Sequence, residues 1–387
     1  MTEWPSLLPD NATPFERTFE VATDPYPSLD ETIWAMHGLK LNNPPTAFLP
    51  FLVWEYGLGE LQPYIPNPSE LISFGIPWQR VRGTPLAVDL ALSWLGYQGE
   101  IEEAPIRRRF WNNFQIHLNR VRDNEDDLPR LDGVATLSVA LRSDFWRGFH
   151  GYDARALEAD ESRWDDTMWE DDSGVVLPGG KAKWSFGRRI DYEHDINTDE
   201  LDGLGIGDAW ALTLDGEPLT LDGEPLRFVP NGSTGWGGPW LPLPWRSSEV
   251  YAASVAALIA AGAGPAWAVF KNADGEVLFY RRCRVRRRVL DAATGVYRVG
   301  ASRFEPTTGA ATRLYLEVLT DFGEGEGMDA ASVGFILSAN PAAGHKPGVA
   351  HLPPGALEPA GPIIAERSVS IAFSRTVREG VACLLRF

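Results

Sequence analysis

Apolar residues in the first hundred positions recur every three or four residues, which is the spacing of one face of an α-helix. Each apolar stretch follows a helix-capping signal, and Thr13-Pro14-Phe15-Glu16 is a complete capping box with Pro in the first turn. The remaining helix starts are Ser28, Thr46, Asn67 and Thr84, and glycines at 57 and 96 end the third and fifth helices. Five such starts predict a compact bundle of short helices.

The pattern changes further along the chain to short alternating runs separated by turn signals, which favours β-strands. Two apolar runs flank Asn272-Ala273-Asp274-Gly275 and predict a hairpin over 266–280. Residues 213–219 and 220–226 are identical copies, each with an Asp-Gly turn, and predict successive short strands or a hairpin. Further strands are predicted over 137–141, 295–299, 313–319, 332–337 and 368–373, and one helix over 247–261.

Together these patterns predict an α+β multidomain protein in which an N-terminal bundle of short helices is followed by a β-rich C-terminal region. The acidic cluster at 123–127, followed by Pro129, predicts a first boundary, and the Gly- and Pro-rich run 231–245 predicts a second. The expected parts are a helical domain over 1–125, a mixed turn- and strand-rich region over 126–230, and a β-rich domain with one helix over 231–387.

The charge of the 387-residue chain limits its partners. It carries 53 acidic and 35 basic side chains, a net charge of −18 that repels nucleic acid and anionic lipid as a whole. The charge is uneven, because residues 1–230 sum to −21 and residues 231–387 to +3. Residues 251–270 are uncharged, but their alanines and the Gly-Ala-Gly-Pro sequence predict a buried helix and not a membrane span. We therefore expect neither a nucleic-acid partner nor a membrane partner.

No motif in the sequence completes a catalytic or cofactor site. The run 174–181 resembles a phosphate-binding loop without its Gly-Lys-Ser/Thr ending, so a turn is expected. Residues 195–199 resemble the start of a calcium loop, but Glu200 and Ile206 stand where Gly and Glu are needed. A solvated acidic loop is expected there, with an adventitious divalent ion as the alternative. Cys283 lies among arginines that would lower the pKa of its thiol, yet no base accompanies it. We predict no enzymatic activity, no cofactor and no resident metal.

Arginine is concentrated in one short segment. The six arginines of residues 281–288 are Arg281, Arg282, Arg284, Arg286, Arg287 and Arg288. On a strand they cannot all be buried, so at least one face is cationic. We interpret this arginine strip as a docking surface for an acidic protein, such as residues 1–230 of another copy. The alternative is a solvated edge that discourages strand pairing.

A loop rich in Gly and Pro carries the second candidate interface. Trp236 and Trp240 lie in it, with Trp245 at its end. If these rings are exposed, they can stack on sugars or become buried in a partner protein. The alternative is that they pack beneath the loop, since Trp is highly buried on average.

Several short motifs in the first hundred residues occur in an informative order. They are Leu7-Leu8-Pro9 before the first helix, Ile33-Trp34 in the second, Leu49-Pro50-Phe51-Leu52-Val53-Trp54 in the third, and Arg82-Gly83-Thr84 before the last. In this order and spacing, residues 7–96 resemble the phage tail protein I family, the baseplate wedge component of contractile tails. The resemblance covers about a quarter of the chain.

The resemblance implies a non-enzymatic structural subunit of the virion, assembled in the host cytoplasm into the tail baseplate. It implies association with the baseplate J-like wedge protein, attachment of tail fibres, and repetition around the six-fold axis of the tail. The alternative function, which the Trp-rich loops and abundant carboxylates favour, is a tail-associated glycan-binding or cell-wall-degrading protein.

Overall fold

The computed structural model describes residues 6, 8–25, 29, 32–33, 44–103, 111–122, 124–156, 167–168, 171–204, 213–214, 217–218, 220–221, 224–225, 227–229, 240–242, 265–287, 289–307, 313–346, 348–358 and 361–386. Helices cluster between residues 14 and 138 and strands follow, so the predicted α+β class is confirmed. Contacts within the chain define unit 1, Met1–Gly96 with Gly133–Leu141, and unit 2, Tyr97–Asp132 with Arg142–Phe387. The three expected domain ranges stay a prediction.

The helices begin largely where the capping signals place them. They are α1 Pro14–Thr23, α2 Leu49–Glu55, α3 Pro68–Val81, α4 Pro85–Trp94, α5 Asp127–Ser138 and α6 Thr198–Gly203, with 3-10 turns over Thr46–Phe48 and Leu58–Leu61. The capping box of α1 is confirmed, because the Thr13 N–H donates to Glu16 Oε2 at 2.7 Å and the Glu16 N–H donates to Thr13 Oγ1 at 3.3 Å. Asn67 caps α3 by accepting a hydrogen bond from the Ser69 N–H at 3.1 Å.

Two local predictions in this region are wrong. Thr46 does not cap a helix but lies inside the 3-10 turn, and α2 begins only at Leu49. The reason is Pro50, which has no N–H to donate to the Thr46 carbonyl. The strand predicted over 137–141 is a helix end, because Leu137 follows Val134 by one helical turn and both face the core of unit 1. The start predicted at Ser28 lies outside the described residues.

The core of unit 1 is formed by buried apolar side chains of α2, α3, α4 and the last turns of α5. Trp78 is 2% exposed, and its Nε1–H donates to Ser138 Oγ at 2.9 Å, which links α3 to α5. Gly75 lets the turn after α2 approach closely, since a Cβ there would come within 2.7 Å of the Leu58 side chain. Helices α2, α3 and α4 and the end of α5 are thus held by a single packed core.

Unit 2 contains the strands. The first thirteen are β1 Gly99–Glu103, β2 Asn113–Leu118, β3 Asp144–His150, β4 Arg155–Ala156, β5 Thr167–Met168, β6 Val175–Val176, β7 Lys183–Asp195, β8 Thr213–Leu214, β9 Glu217–Pro218, β10 Thr220–Leu221, β11 Glu224–Pro225, β12 Arg227–Val229 and β13 Trp240–Pro242. The others are β14 Trp267–Lys271, β15 Val277–Arg282, β16 Arg284–Arg287, β17 Val289–Asp291, β18 Tyr297–Val299, β19 Ser302–Pro306, β20 Arg313–Leu319, β21 Asp329–Ile336, β22 Asn340–Pro341, β23 His351–Leu352, β24 Leu357–Glu358, β25 Ile364–Ala372 and β26 Val377–Arg386.

Two large sheets organise unit 2. An eight-stranded mixed sheet has the order β1-β2-β3-β7-β26-β20-β16, with β6 also paired to β7, and its strands β2, β3, β7 and β26 are parallel. A five-stranded antiparallel sheet has the order β23-β15-β14-β21-β25. A three-stranded sheet, β17-β19-β18, and five two-stranded pairs complete the strands that the structure describes.

The middle of the eight-stranded sheet is covered on both faces. On one face Leu316 of β20 and Cys383 of β26 pack with Phe270 and Phe335 of the five-stranded sheet. On the other face Tyr315 and the neighbouring strand β26 pack with the three-stranded sheet. Successive residues of a strand point to opposite faces, so β20 contributes to both cores. Unit 2 is therefore layered, with β20 and β26 in the central layer.

The strand predictions are largely confirmed. The hairpin over 266–280 is β14 and β15, with Gly275 at φ +80° in its turn. The two sequence copies form two separate hairpins, β8–β9 and β10–β11. The predicted strands over 295–299, 313–319, 332–337 and 368–373 correspond to β18, β20, β21 and β25. The long strands β7 and β26 have no counterpart among the predictions, and the helix predicted over 247–261 lies outside the described residues.

Candidate protein interfaces

Helix α2 buries one side and exposes aromatic rings on the other. The side chains in the core of unit 1 are Leu49, Leu52 and Val53. Phe51 is 71% exposed and Trp54 is 85% exposed, and Phe48 in the preceding 3-10 turn is 51% exposed. Residues three apart in a helical segment are neighbours on its surface. Phe48, Phe51 and Trp54 therefore line one side of this segment, and we call them the aromatic row.

Helix α1 is a second apolar element of unit 1 whose side chains are all accessible. It buries none of its residues, and Phe15 and Phe19 are stacked at 6.2 Å between ring centroids while both remain exposed. The helix has ten residues, and isolated helices of that length are marginally stable in water. An apolar surface on a partner would stabilise α1 by covering these rings.

Exposed apolar residues are concentrated in unit 1. Eleven of the sixteen large exposed hydrophobic side chains in the described part of the chain belong to it, although it holds little more than a quarter of the residues. They include Phe74 on α3 and Leu86 on α4 besides the residues of α1 and the aromatic row. Scattered apolar residues are normal on a protein surface, whereas a concentration of them marks an interaction site. The sequence does not predict this surface, because helical spacing alone does not show which apolar side faces the core.

The arginine strip does not form one continuous face. Strand β15 ends at Arg282 in the five-stranded sheet, and β16 begins at Arg284 in the eight-stranded sheet. Arg281 is buried, where its Nη2 lies 3.0 Å from Asp321 Oδ2 and its Nη1 forms an ion pair with Glu324. Arg281 is therefore used inside unit 2, and the docking hypothesis rests on the remaining arginines.

Arg284 is the accessible arginine whose surroundings are best defined. Its side chain is 63% exposed, and its Nη1 lies 3.7 Å from Glu317 Oε2. The same carboxylate accepts hydrogen bonds from Arg189 at 3.0 Å and from the Tyr315 hydroxyl at 3.1 Å, so it is already well satisfied. Burial, together with Glu317, raises the pKa of Tyr315 to about 12. Arg284 is thus loosely held and can meet an external carboxylate.

The other residues of the strip and the Trp loop are only partly described. Arg282 is exposed at the end of β15. The backbones of Arg286 and Arg287 pair with β20, while Arg288 and Trp236 lie outside the described residues. Trp240 opens β13, which pairs in parallel with β12. The interface role of all these residues stays a prediction.

Cys283 is not an activated thiol. It is 9% exposed between β15 and β16, and its N–H donates to the Ala266 carbonyl at 2.8 Å. Burial raises the pKa of the Cys283 thiol above its ordinary value, so the expected net lowering is wrong. The charge of Arg281 favours the thiolate, but the desolvation of the buried sulfur outweighs it.

The acidic segment after β7 is a helix start. Asn197 and Glu200 form a capping box on α6, with the Asn197 N–H donating to Glu200 Oε2 at 3.0 Å and the Glu200 N–H donating to Asn197 Oδ1 at 2.8 Å. Glu200 Oε1 also accepts the Ala365 N–H at 2.7 Å, and Glu200 Oε2 lies 2.9 Å from His194 Nε2. Within the described residues, no three His, Cys, Asp or Glu side chains are grouped to hold a metal ion.

Comparison with known proteins bears on the helical part of the chain. No curated protein matches the chain. Every helix in the described residues is too short or too polar to cross a lipid bilayer. The family model of the phage tail protein (Tail_P2_I) matches residues 8–136, a third of the chain, which include α1 to α4 and the aromatic row. This match confirms the resemblance inferred from the sequence and indicates a structural role in a phage tail, in assembly with other tail proteins. Residues 8–136 are therefore similar to the phage tail proteins of the Tail_P2_I family.

Proposed function

We propose that the protein is a wedge subunit of a phage tail baseplate, without enzymatic activity of its own. It joins other baseplate proteins, among them the J-like wedge protein, and is repeated around the six-fold axis of the tail. The observation that carries the proposal is the exposed aromatic row, since it lies within the residues that match the phage tail family. We further propose that the β-rich unit 2 carries the attachment point for tail fibres.

The aromatic row supports a permanent interface on energetic grounds. An aromatic side chain buries about 150–250 Å² in an interface. Because Phe51 and Trp54 are mostly exposed, covering both would remove about 300 Å² of apolar surface from water, worth about 7 kcal/mol before the costs of association. Aromatic residues are enriched among the side chains that dominate binding energy. A surface of this kind suits a subunit that functions only when assembled.

The proposal is tested by the incorporation of variants into tails. The double variant Phe51→Ser/Trp54→Ser keeps the buried side of α2 and should fold like the parent protein, because both changed side chains are exposed. In a phage that lacks its own copy of the gene, we expect this variant to be absent from purified tails and to lose co-purification with the J-like protein. Mass spectrometry of the tails measures the first outcome, and co-expression measures the second.

A matched control separates the interface from a general loss of surface aromatics. Trp111 is 62% exposed in unit 2, so Trp111→Ser removes a comparable ring elsewhere. We expect Trp111→Ser to enter tails normally. Normal incorporation of the Phe51→Ser/Trp54→Ser variant would overturn the proposal. So would a six-fold tail reconstruction that has no density for this chain.

A further inference from the structure

The eight-stranded sheet ends at β1 with an open backbone edge. In the described residues β1 pairs only with β2, in the antiparallel register Glu100↔His117 and Glu102↔Gln115. The Asn119 N–H donates to the Gln98 carbonyl at 2.9 Å, and these two residues are opposite each other in the same register. Hydrogen-bonded pairs alternate along an antiparallel ladder. Glu100 and Glu102 therefore bond towards β2, while the backbone groups of the alternate residues point away from it.

The residues with outward backbone groups are Gly99, Ile101 and Glu103. None of them has a backbone hydrogen-bond partner on the outer side among the described residues. An open edge of this kind accepts a further strand, as in peptide recognition by strand addition. Three residues with alternating donors and acceptors are enough to fix the register of a short added strand.

The charge of β1 determines which strand it can accept. Its sequence, Gly-Glu-Ile-Glu-Glu, is acidic, and Glu100 and Glu103 are exposed. Glu102 is already bound to Arg155 and Gln115, both at 2.7 Å, whereas no described residue forms an ion pair with Glu100. Like charges placed opposite each other on neighbouring strands are destabilising, and opposite charges are stabilising.

A second copy of this chain does not fit the edge. Pairing of β1 with β1 of another copy would bring the acidic side chains of both strands together. Among the described strands, the one with most arginines is β16, at the opposite end of the same sheet, and Val285 in its middle already has an interaction partner. Neither strand suits the edge, so a basic strand of a different protein fits it better.

We propose that β1 is a docking edge for a β-strand of another tail protein with Arg or Lys at alternating positions and apolar residues between them. A basic side chain lies beside the exposed Glu100, and an apolar one lies beside Ile101 on the opposite face. The assignment of the partner to the tail rests on the proposed function. The expected pattern of basic and apolar residues in the bound strand follows from the open edge of β1 alone.

The test uses the purified full chain and a synthetic nine-residue peptide of alternating Arg and Val, followed by fluorescence anisotropy. A control peptide of alternating Arg and Pro has the same charge but cannot extend a sheet, since Pro lacks the backbone donor. We expect the Arg-Val peptide to bind at least tenfold more tightly than the Arg-Pro peptide. Equal binding of the two peptides would show attraction to the net charge only and would overturn the proposal.

Two variants of Glu103 distinguish the contribution of its backbone N–H to peptide binding from the contribution of its charge. Glu103→Pro removes an N–H that points away from β2, so the β1–β2 ladder is kept. We expect it to weaken Arg-Val binding at least tenfold, while Glu103→Gln, which removes only the charge, weakens it less than threefold. Unchanged binding by a folded Glu103→Pro variant would contradict the proposal.

Amide hydrogen exchange of the parent protein gives an independent answer if Glu103→Pro fails to fold. We expect the amides of Gly99, Ile101 and Glu103 to become protected when the Arg-Val peptide is added. Absence of protection there would overturn the proposal, as would self-association through β1 that excludes the peptide. Because this assay needs no tail, its failure leaves the wedge proposal standing, and failure of the incorporation assay leaves the docking edge standing.

Discussion

Glu200 joins three elements of unit 2, and its removal should be costly. Its carboxylate completes the capping box of α6, lies 2.9 Å from His194 Nε2 at the end of β7, and accepts the Ala365 N–H of β25 at 2.7 Å. Ala365 is buried and has φ +51°, a conformation that a residue with a Cβ adopts only at a cost. The Tyr192 hydroxyl donates to the Ala365 carbonyl at 2.8 Å, so both polar groups of this strained residue are satisfied by side chains.

The expected loss of stability in Glu200→Ala follows from the hydrogen bonds that the variant lacks. Loss of the capping interaction costs about 1 kcal/mol. Loss of a charge-assisted hydrogen bond to a buried amide costs about 1.5–3 kcal/mol, because the Ala365 N–H would be left unsatisfied. We therefore expect Glu200→Ala to lower the free energy of unfolding of unit 2 by about 3 kcal/mol.

Urea unfolding of the full chain, followed by tryptophan fluorescence, measures this loss. Asp199→Ala is the matched control, since Asp199 is an exposed acid in the same helical turn and should cost about 0.5 kcal/mol through the helix dipole. A Glu200→Ala variant that unfolds at the same urea concentration as Asp199→Ala would refute the reasoning.

The pH dependence of unfolding gives a second measure of the same contacts. Burial alone would raise the pKa of Glu200, but the bonds from His194, Asn197 and Ala365 outweigh it and hold the pKa below its ordinary value. A carboxyl group whose folded-state pKa is lowered contributes stability above its unfolded-state pKa and loses it as the pH falls through the folded-state pKa. The difference in stability between the parent protein and Glu200→Ala should therefore shrink in acid.

Three further predictions concern single positions in unit 2. Ala365→Gly should raise the free energy of unfolding by about 0.5–1 kcal/mol in the same urea assay, because glycine adopts positive φ without a Cβ clash. A lower free energy of unfolding would contradict the conclusion that the backbone of Ala365 is strained. Gly148→Ala should destabilise by about 2 kcal/mol or more, since a Cβ there would overlap the buried Trp184 ring; an unchanged thermal midpoint would show that the ring can move. Cys283 and Cys383 should resist alkylation by iodoacetamide until the protein unfolds, because both side chains are buried. Burial also raises the pKa of both thiols, that of Cys383 to about 12. Rapid labelling of the native protein would refute this prediction.

Local signals predicted the parts of the fold that depend on neighbouring residues. The capping box at Thr13 and Glu16 and the hairpin around Gly275 need only a few adjacent positions, and both form as expected. The alternation around Leu137 was misleading, because it fits a strand and the end of a helix equally well. In the helix that forms there, Ser138 accepts a hydrogen bond from Trp78, which lies sixty positions earlier in the chain.

Strand β7 shows why other elements escaped prediction. Arg188 and Arg189 make its sequence look like a solvated loop, yet it is the longest strand described. Arg188 pairs with Glu379 at 2.6 Å and Arg189 with Glu317 at 3.0 Å, more than a hundred positions away in each case. Charges that are neutralised by such distant partners cannot be recognised from the local pattern.

The candidate interfaces were predictable to a smaller extent. The arginine strip is visible in the sequence, but its division between two sheets and the burial of Arg281 depend on the fold. The aromatic row could be predicted only as part of a helix. When both sides of a helix are apolar, a period of three or four does not show which side faces the core.

The link at Cys283 has a mechanical consequence. A single residue separates the last strand position in one large sheet from the first in the other, and its N–H is tied to Ala266. A connection of one residue lets the two strand ends move apart very little. The aromatic and aliphatic side chains between the sheets are closely packed, so they also resist sliding of one sheet over the other. A force applied to either sheet is therefore transmitted to the other, and the two sheets move together.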